Sequence, residues 1–195
     1  MIKLGLTGSI GMGKSTTAKI FAAAGVPCHD ADAAVHALYA GRAIPLIEGA
    51  FPGCVLGGKV DRNLLGARVI GKPDEMKRLE AIIHPLVREE EQEFLQKAKA
   101  EGRRVVVLDI PLLFETGGDK RVHASVVVTA SEEIQRQRVL SRPGMTEERF
   151  QAIVAKQMAD FEKRRRAHFL IDTGHGLVSA ERSVEAILRA VAGMV

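Results

Sequence analysis

The sequence predicts an α/β fold built on a parallel sheet of about five strands with helices on both faces. Three features point there. Short β-branched runs are apolar on both faces, as strands buried between helices are; helical patterns alternate with them; and a glycine-rich turn joins the first run to the first helical pattern. Aromatic residues make up only 4% of the chain and Trp is absent, so Val, Ile, Leu and Ala must fill the core. A chain of 195 residues fits one domain and is long enough to bury roughly 70% of its unfolded surface.

Residues 3–7 read as the first strand, and the glycine-rich turn after them leads into an amphipathic helix over about 14–24, stopped by Gly25. Residues 26–29 form a second strand, after which Asp30 can cap a helix carrying Val35 and Leu38. From Arg42 to about Ala100 the pattern is helical, with Asp61 and Asp74 as candidate caps and Met76, Leu79, Ile82 and Ile83 on one apolar stripe. This stretch reads as an inserted helical cover. Residues 105–108 and 126–129 are the core strands of the sheet. Ser131 caps a helix reaching about Ser141, Pro143-Gly144 breaks it, and Thr146 starts another that runs through about Phe161. Residues 169–171 make the last strand and 179–191 a closing amphipathic helix, with no internal repeat or low-complexity tract.

An apolar share of 46% beside 27% charged residues, at a mean hydropathy of +0.03, excludes a disordered chain. The net charge of +4 suits a polyanionic partner, but a triphosphate site demands the same excess, so nucleic acid is permitted and not required. Cys28 and Cys54 stand too far apart for a Cys-x-x-Cys site, which favours the reduced thiols of a cytosolic protein and small core filler as their role. The longest apolar stretch, residues 105–114, is interrupted by Asp109 and Pro111 and is far short of the roughly 18 residues of a membrane span. The N-terminus runs directly into a strand, so no signal peptide is expected.

Gly8-Ser9-Ile10-Gly11-Met12-Gly13-Lys14-Ser15 matches G-x-x-x-x-G-K-[ST] and lies after a strand and before a helix, the context the motif requires. Glycines at 8, 11 and 13 let backbone N–H groups curl inward, and the helix N-terminus adds partial positive charge. The chemistry expected is ATP binding, with Lys14 on the β- and γ-phosphates, the Ser15 hydroxyl on magnesium and Thr16 near the α-phosphate. The nucleotide-binding set is then Gly8, Gly11, Met12, Gly13, Lys14, Ser15 and Thr16.

A kinase acting on a hydroxyl needs a carboxylate to orient it and take its proton. Asp30 and Asp32 follow the second strand, on the side where open α/β sheets bind ligands, and Asp32 is the candidate base; Asp30 is equally a helix cap. Asp109 ends a hydrophobic run, as the magnesium-side acid of many such enzymes does, with a turn before Pro111 as the alternative. Arg138 and Arg142, four apart beside Pro143-Gly144, suit either a lid that neutralises transferring phosphate or a solvated helix end. His84 before Pro85 suits packing or capping, and residues 163–166 read as a solvated charge run, with anion binding as the alternative.

Several separated segments carry a wider likeness. They are Gly5-Leu6-Thr7-Gly8 running into Gly13-Lys14-Ser15-Thr16, Asp30-Ala31-Asp32 with His36, Asp61-Arg62, and Ile83-His84-Pro85-Leu86. They continue in Asp109-Ile110-Pro111-Leu112-Leu113-Phe114-Glu115, in Gln135 with Arg138 and Arg142, in Gln157, and in residues 163–172. On these the chain resembles the dephospho-coenzyme A kinase family. The resemblance implies a P-loop kinase-type core over about 1–41 and 102–195, a helical acceptor-binding insertion over about 42–101, and a lid near 138–150. It also implies transfer of the ATP γ-phosphate to the ribose 3′-hydroxyl of dephospho-coenzyme A, with no nucleic-acid or membrane partner. Asp32 is carried over as the base; Asp30, His84 and the segment from Pro111 to Glu115, with Pro111, Leu112 and Phe114 as its binding residues, belong to the acceptor side; Arg138 and Arg142, with Lys14, belong to the transferring phosphate and nucleotide. The sequence departs from the family pattern at His168 and Thr173, where Asp and Asn are common, and a threonine hydroxyl lacks the amide pair for contacts to adenine. Another small-metabolite kinase of the same fold is the alternative, since fold and loop do not choose the acceptor. A guanine-nucleotide switch lacks its Asn-Lys-x-Asp segment here, and a nucleic-acid module lacks aromatic stacking residues.

Overall fold

The structure is a computed structural model and describes residues 1–193. It divides into two compact units, one formed by Met1–His29 with the chain from Ala98 onward, the other by Asp30–Lys97.

The first unit is a five-stranded sheet in the order β2-β5-β1-β6-β7, with β1 Ile2–Thr7, β2 Cys28–Asp30, β5 Val105–Asp109, β6 Ala124–Thr129 and β7 Phe169–Asp172. Strand β1 pairs in parallel with both β5 and β6, and β6 with β7. Strand alternation sends Leu4, Leu6, Val107, Val126, Val128 and Ile171 into one core with Phe21 of α1 (Lys14–Ala23) and Val184, Ile187 and Val191 of α9 (Leu177–Ala192). Each such side chain, fully buried, contributes on the order of 1.5–3 kcal/mol. Because β1 is central, with β2 and β5 added on one side of it and β6 and β7 on the other, the crevice at its carboxyl end is the place where such sheets bind ligands.

The second unit packs α2 (Ala31–Tyr39), α3 (Ile44–Ala50), α4 (Arg62–Val69) and part of α5 (Pro73–Ala100) around Leu38, Ile47, Phe51, Leu65, Leu79 and Ile83. The sequence pattern predicts helix throughout this stretch, but Val55–Leu56 (β3) and Lys59–Val60 (β4) form an antiparallel hairpin. Gly57 and Gly58 turn it, both at positive φ, the geometry that two-residue hairpin loops need. Asp61 caps α4, accepting from the N–H groups of Asn63 at 2.9 Å and Leu64 at 3.0 Å. Asp74 is not a cap, because α5 already starts at Pro73, a residue pre-set for a first helical position. Among the described residues no helix is long and apolar enough to cross a membrane.

The single helix expected from Thr146 to Phe161 is two, α7 (Glu147–Val154) and α8 (Asp160–Arg166). No Gly or Pro lies between them; tertiary hydrogen bonds make the break. Gln157 accepts from the Ile10 N–H at 3.0 Å, the Met158 N–H is donated to Glu115 at 2.8 Å, and Asp160 accepts from the Thr129 hydroxyl at 2.7 Å. Helix α6 (Glu132–Leu140), capped by Ser131, precedes this segment.

Removing a cap that satisfies two amides costs about 1 kcal/mol. Asp61→Ala should therefore lower the unfolding free energy by that amount, read as a lower urea midpoint at unchanged m-value, and an unaltered midpoint would show that the capped turn does not matter to the unit.

Candidate active site

The chain between β1 and α1 is shaped by what glycine alone tolerates. Gly11 and Gly13 have φ of +79° and +91°, and a Cβ on Gly11 would lie 2.6 Å from a Val139 methyl. Gly13 caps α1 without a side chain, and the first turn of α1 carries no acid, so its leading amides remain available to an anion. Ser15 and Thr16 are exposed in that turn.

The loop's carbonyls are held from outside. The Gln135 amide donates to Ile10 O at 2.8 Å, Arg138 reaches Gly11 O at 3.4 Å, and the Thr173 hydroxyl donates to Met12 O at 2.9 Å. Arg138 also donates to the Thr173 hydroxyl at 2.8 Å and to its carbonyl at 2.9 Å. Arg138 is thus tied into the fold and is not a solvated helix end, while Arg142 is exposed just beyond α6. The Met12 side chain is buried, its sulfur accepting from the Ala130 N–H at 3.1 Å, so Met12 serves the loop through its main chain. Gly11, Gly13, Thr16, Arg138, Arg142 and Thr173 wall a cavity of about 310 Å³. Loop, α6 and the turn after β7 meet there.

The Lys14 ammonium forms an ion pair with the Asp109 carboxylate, which is 3% exposed at the end of β5. Beyond Asp109, Pro111 accepts from the Thr7 hydroxyl at 2.9 Å and Leu112 is exposed. Phe114 is buried, with the Arg166 guanidinium 5.4 Å from its ring centre. Lys163, expected on a solvated face, is fully buried with its ammonium 2.9 Å from Glu115 Oε1. Burial pushes the Glu115 carboxyl up, but Lys163 and the Met158 N–H outweigh it and hold the group below the usual glutamate range.

In the second unit Asp30 caps α2, accepting from the Ala33 N–H at 2.9 Å, and Asp32 is exposed in that helix's first turn. Arg62 lies 3.0 Å from His36 Nε2. Asp32, His36, Tyr39, Arg62, Ile70 and Met76 share the wall of a cavity of about 440 Å³. His84 is exposed on α5 and is not among that cavity's lining residues. Sequence reasoning gave His36, Arg62, Gln135 and Gln157 no role of their own; each was visible only within a segment of family likeness.

A glycine loop wrapped onto a helix N-terminus at the carboxyl end of a central parallel strand, with a lysine at its mouth, defines a P-loop nucleotide-binding protein of the kinase type. The dephospho-CoA kinase family model matches residues 2–178. A dephospho-CoA kinase of Mesorhizobium japonicum is 63% identical over 193 residues, covering 99% of this chain and 98% of that one. A solved Thermus thermophilus protein is 36% identical with a TM-score of 0.84, over 100% of this chain and 97% of that one. A dephospho-CoA kinase from Campylobacter jejuni, at 24% identity and a TM-score of 0.66 over 97% and 96% of the two chains, shares the fold. The chain belongs to the dephospho-CoA kinase family.

The lowered Glu115 pKa has a defined sign. Its contribution to stability is fully present above the unfolded glutamate value and is lost as pH falls through the lower, folded value. Thermal unfolding from pH 6 down to pH 3, roughly the span below an ordinary glutamate pKa, should show a fall that is shallower in Glu115→Gln, whose overall stability is also lower. Parallel profiles in the two proteins would remove Glu115 from the acid response.

Proposed function

We propose that this protein transfers the γ-phosphoryl group of ATP to the ribose 3′-hydroxyl of dephospho-coenzyme A, giving coenzyme A and ADP in the cytoplasm. The observation that carries the reading is the phosphate loop, its carbonyls tied outward and Lys14 waiting on Asp109, in a chain of this family.

Triphosphate oxygens compete with Asp109 for Lys14, so binding exchanges one anionic partner for another and draws the ammonium to the β- and γ-phosphates. The loop amides and the N-terminus of α1 hold the same oxygens. The Ser15 hydroxyl and the Asp109 carboxylate are hard oxygen donors that would hold magnesium while leaving most of its shell to phosphate and water, which is how that ion is bound in kinases. Magnesium, when bound, neutralises charge on the β- and γ-oxygens. Asp32 takes the proton of the 3′-hydroxyl as its oxygen forms the new bond to the γ-phosphorus; the bond from that phosphorus to the β–γ bridging oxygen breaks, and ADP leaves. Arg142 supplies positive charge to the transferring group, needed most in the transition state. Asp30, His84, Pro111 and Leu112 serve the acceptor, with Phe114 supporting their segment from its buried position. The Asp30–Lys97 unit binds the acceptor's remote parts, and that energy orients the reacting hydroxyl.

Purified protein with MgATP should convert dephospho-coenzyme A to coenzyme A, with adenosine poorer by at least roughly 10²-fold in kcat/KM. Mass spectrometry and phosphorus NMR check the product; equal use of adenosine, or phosphate on another oxygen, would reject the acceptor assignment. Asp32→Asn should keep ATP affinity within a few-fold while kcat falls by roughly 10²–10⁴. Unchanged kcat would unseat Asp32 as the base.

A further inference from the structure

An anion-binding loop works only if its N–H groups point inward and its carbonyls outward, because a carbonyl oxygen facing a phosphate repels it. In this protein three successive carbonyls, those of Ile10, Gly11 and Met12, are each tied to a donor outside the loop. Ile10 is the residue held at both ends. Its carbonyl accepts from Gln135 at 2.8 Å and its N–H is donated to Gln157 Oε1 at 3.0 Å.

The two glutamines are secured differently. Gln135 is buried in the middle of α6, fixed by that helix. Gln157 sits in the non-helical link between α7 and α8, where the last backbone bond of the turn is its own, from the Gln157 N–H to Val154 O at 3.0 Å. The next residue ties the link from outside: the Met158 N–H is donated to Glu115 Oε1 at 2.8 Å, and Glu115 is itself held by the buried ammonium of Lys163 at 2.9 Å. At that distance the buried ammonium and the carboxylate form a close ion pair, and it helps hold the Glu115 carboxyl below the usual glutamate range. Such a buried pair adds little to stability against a neutral pair of like shape, since desolvation offsets the attraction, whereas removing one partner strands the other's charge. The pair's value lies in fixing where the carboxylate stands.

We propose that Lys163, Glu115 and Gln157 form a positioning relay that sets the phosphate loop in its anion-binding shape before nucleotide arrives. None of the three touches the nucleotide in this scheme. The chain of contacts runs from Lys163 to Glu115, from Glu115 to the Met158 amide, and through the adjoining Gln157 side chain to Ile10. Glu115 also lies in the turn that follows β5 through Pro111, so the relay joins the phosphate loop to the chain that follows Asp109. Cutting the relay lets Ile10 rotate in the free enzyme. Bound phosphates then have to reorder the loop at the expense of their own binding free energy, and the loss falls on affinity more than on the bound-state rate.

The inference rests on the ATP-binding part of the function proposed above and not on the choice of acceptor. Its test is therefore binding of a non-hydrolysable MgATP analogue to the full chain with no acceptor present, measured by calorimetry beside KM and kcat for MgATP. Gln157→Ala, at a half-buried position outside any helix, should raise the analogue Kd and the KM by about three- to tenfold, the worth of one hydrogen bond, with kcat within about twofold. Lys163→Met should raise Kd in the same direction. In Lys163→Met/Glu115→Gln, which removes both charges and keeps an amide oxygen to accept the Met158 N–H, Kd should return towards the wild-type value. The Gln157→Ala/Lys163→Met variant should bind no more weakly than the worse single variant, since both cut one path. Unchanged Kd in Gln157→Ala, or factors that multiply in the double variant, would overturn the relay. Should Lys163→Met not fold, the Kd of Gln157→Ala decides alone. Normal Kd shifts with no phosphorylation of dephospho-coenzyme A would overturn the acceptor assignment and leave the relay standing.

Discussion

The arrangement of the first unit follows from the need to keep the carbonyls of residues 10–12 turned away from an anion. A short loop cannot do this alone, because each carbonyl rotated outward and shielded from water needs a donor. The donors come from α6 and from the turn after β7, elements far along the chain that the sheet order brings beside β1. With β6 and β7 on one side of β1 and β5 on the other, the loop receives its hydrogen-bond donors from one flank and its acidic partner, Asp109, from the other.

That acidic flank carries two ion pairs of different character. Lys14–Asp109 is partly open, with 16% of the lysine side chain exposed, and its ammonium can pass to a phosphate that arrives from solvent. Lys163–Glu115 has no exposed cation, so no incoming anion competes for it. The same two chemical groups therefore give an exchangeable contact in one place and a permanent one in the other, and burial decides which.

Much of the fold was legible because it rests on local pattern. The β-branched runs gave the core strands, and Asp30, Asp61, Ser131 and Thr146 announced the helices that they cap. The hairpin at residues 55–60 escaped because two-residue strands are too short to show alternation, although Gly57-Gly58 between Leu56 and Lys59 was a usable turn signal. The gap between α7 and α8 left no local trace, being made by bonds to Ile10, Glu115 and Thr129 from distant parts of the chain. In the run of residues 163–166 every side chain is cationic, so composition hides that one of them, Lys163, faces inward. The glycines and Lys14 of the site were readable from spacing alone. The residues that hold their shape were not, since a glutamine or threonine has no pattern until its partner is known.

The division into two units also bears on where specificity resides. A phosphate loop, its lysine and its outward-held carbonyls treat any nucleoside triphosphate and any acceptor alike, so nothing in that constellation selects dephospho-coenzyme A. Selection requires polar groups that a wrong acceptor would leave unpaired, set beside apolar surface that a smaller acceptor would leave unfilled. The cavity in the Asp30–Lys97 unit has both kinds of wall: Asp32, His36 and Arg62 for polar or anionic groups, and Val35, Leu65, Val69, Ile70, Met76 and Leu79 for an apolar chain. A large acceptor with phosphate and chain-like parts can engage both, whereas a bare nucleoside has nothing to lay against the apolar wall. On the proposed function, the acceptor is therefore told apart in the Asp30–Lys97 unit and not at the phosphate loop.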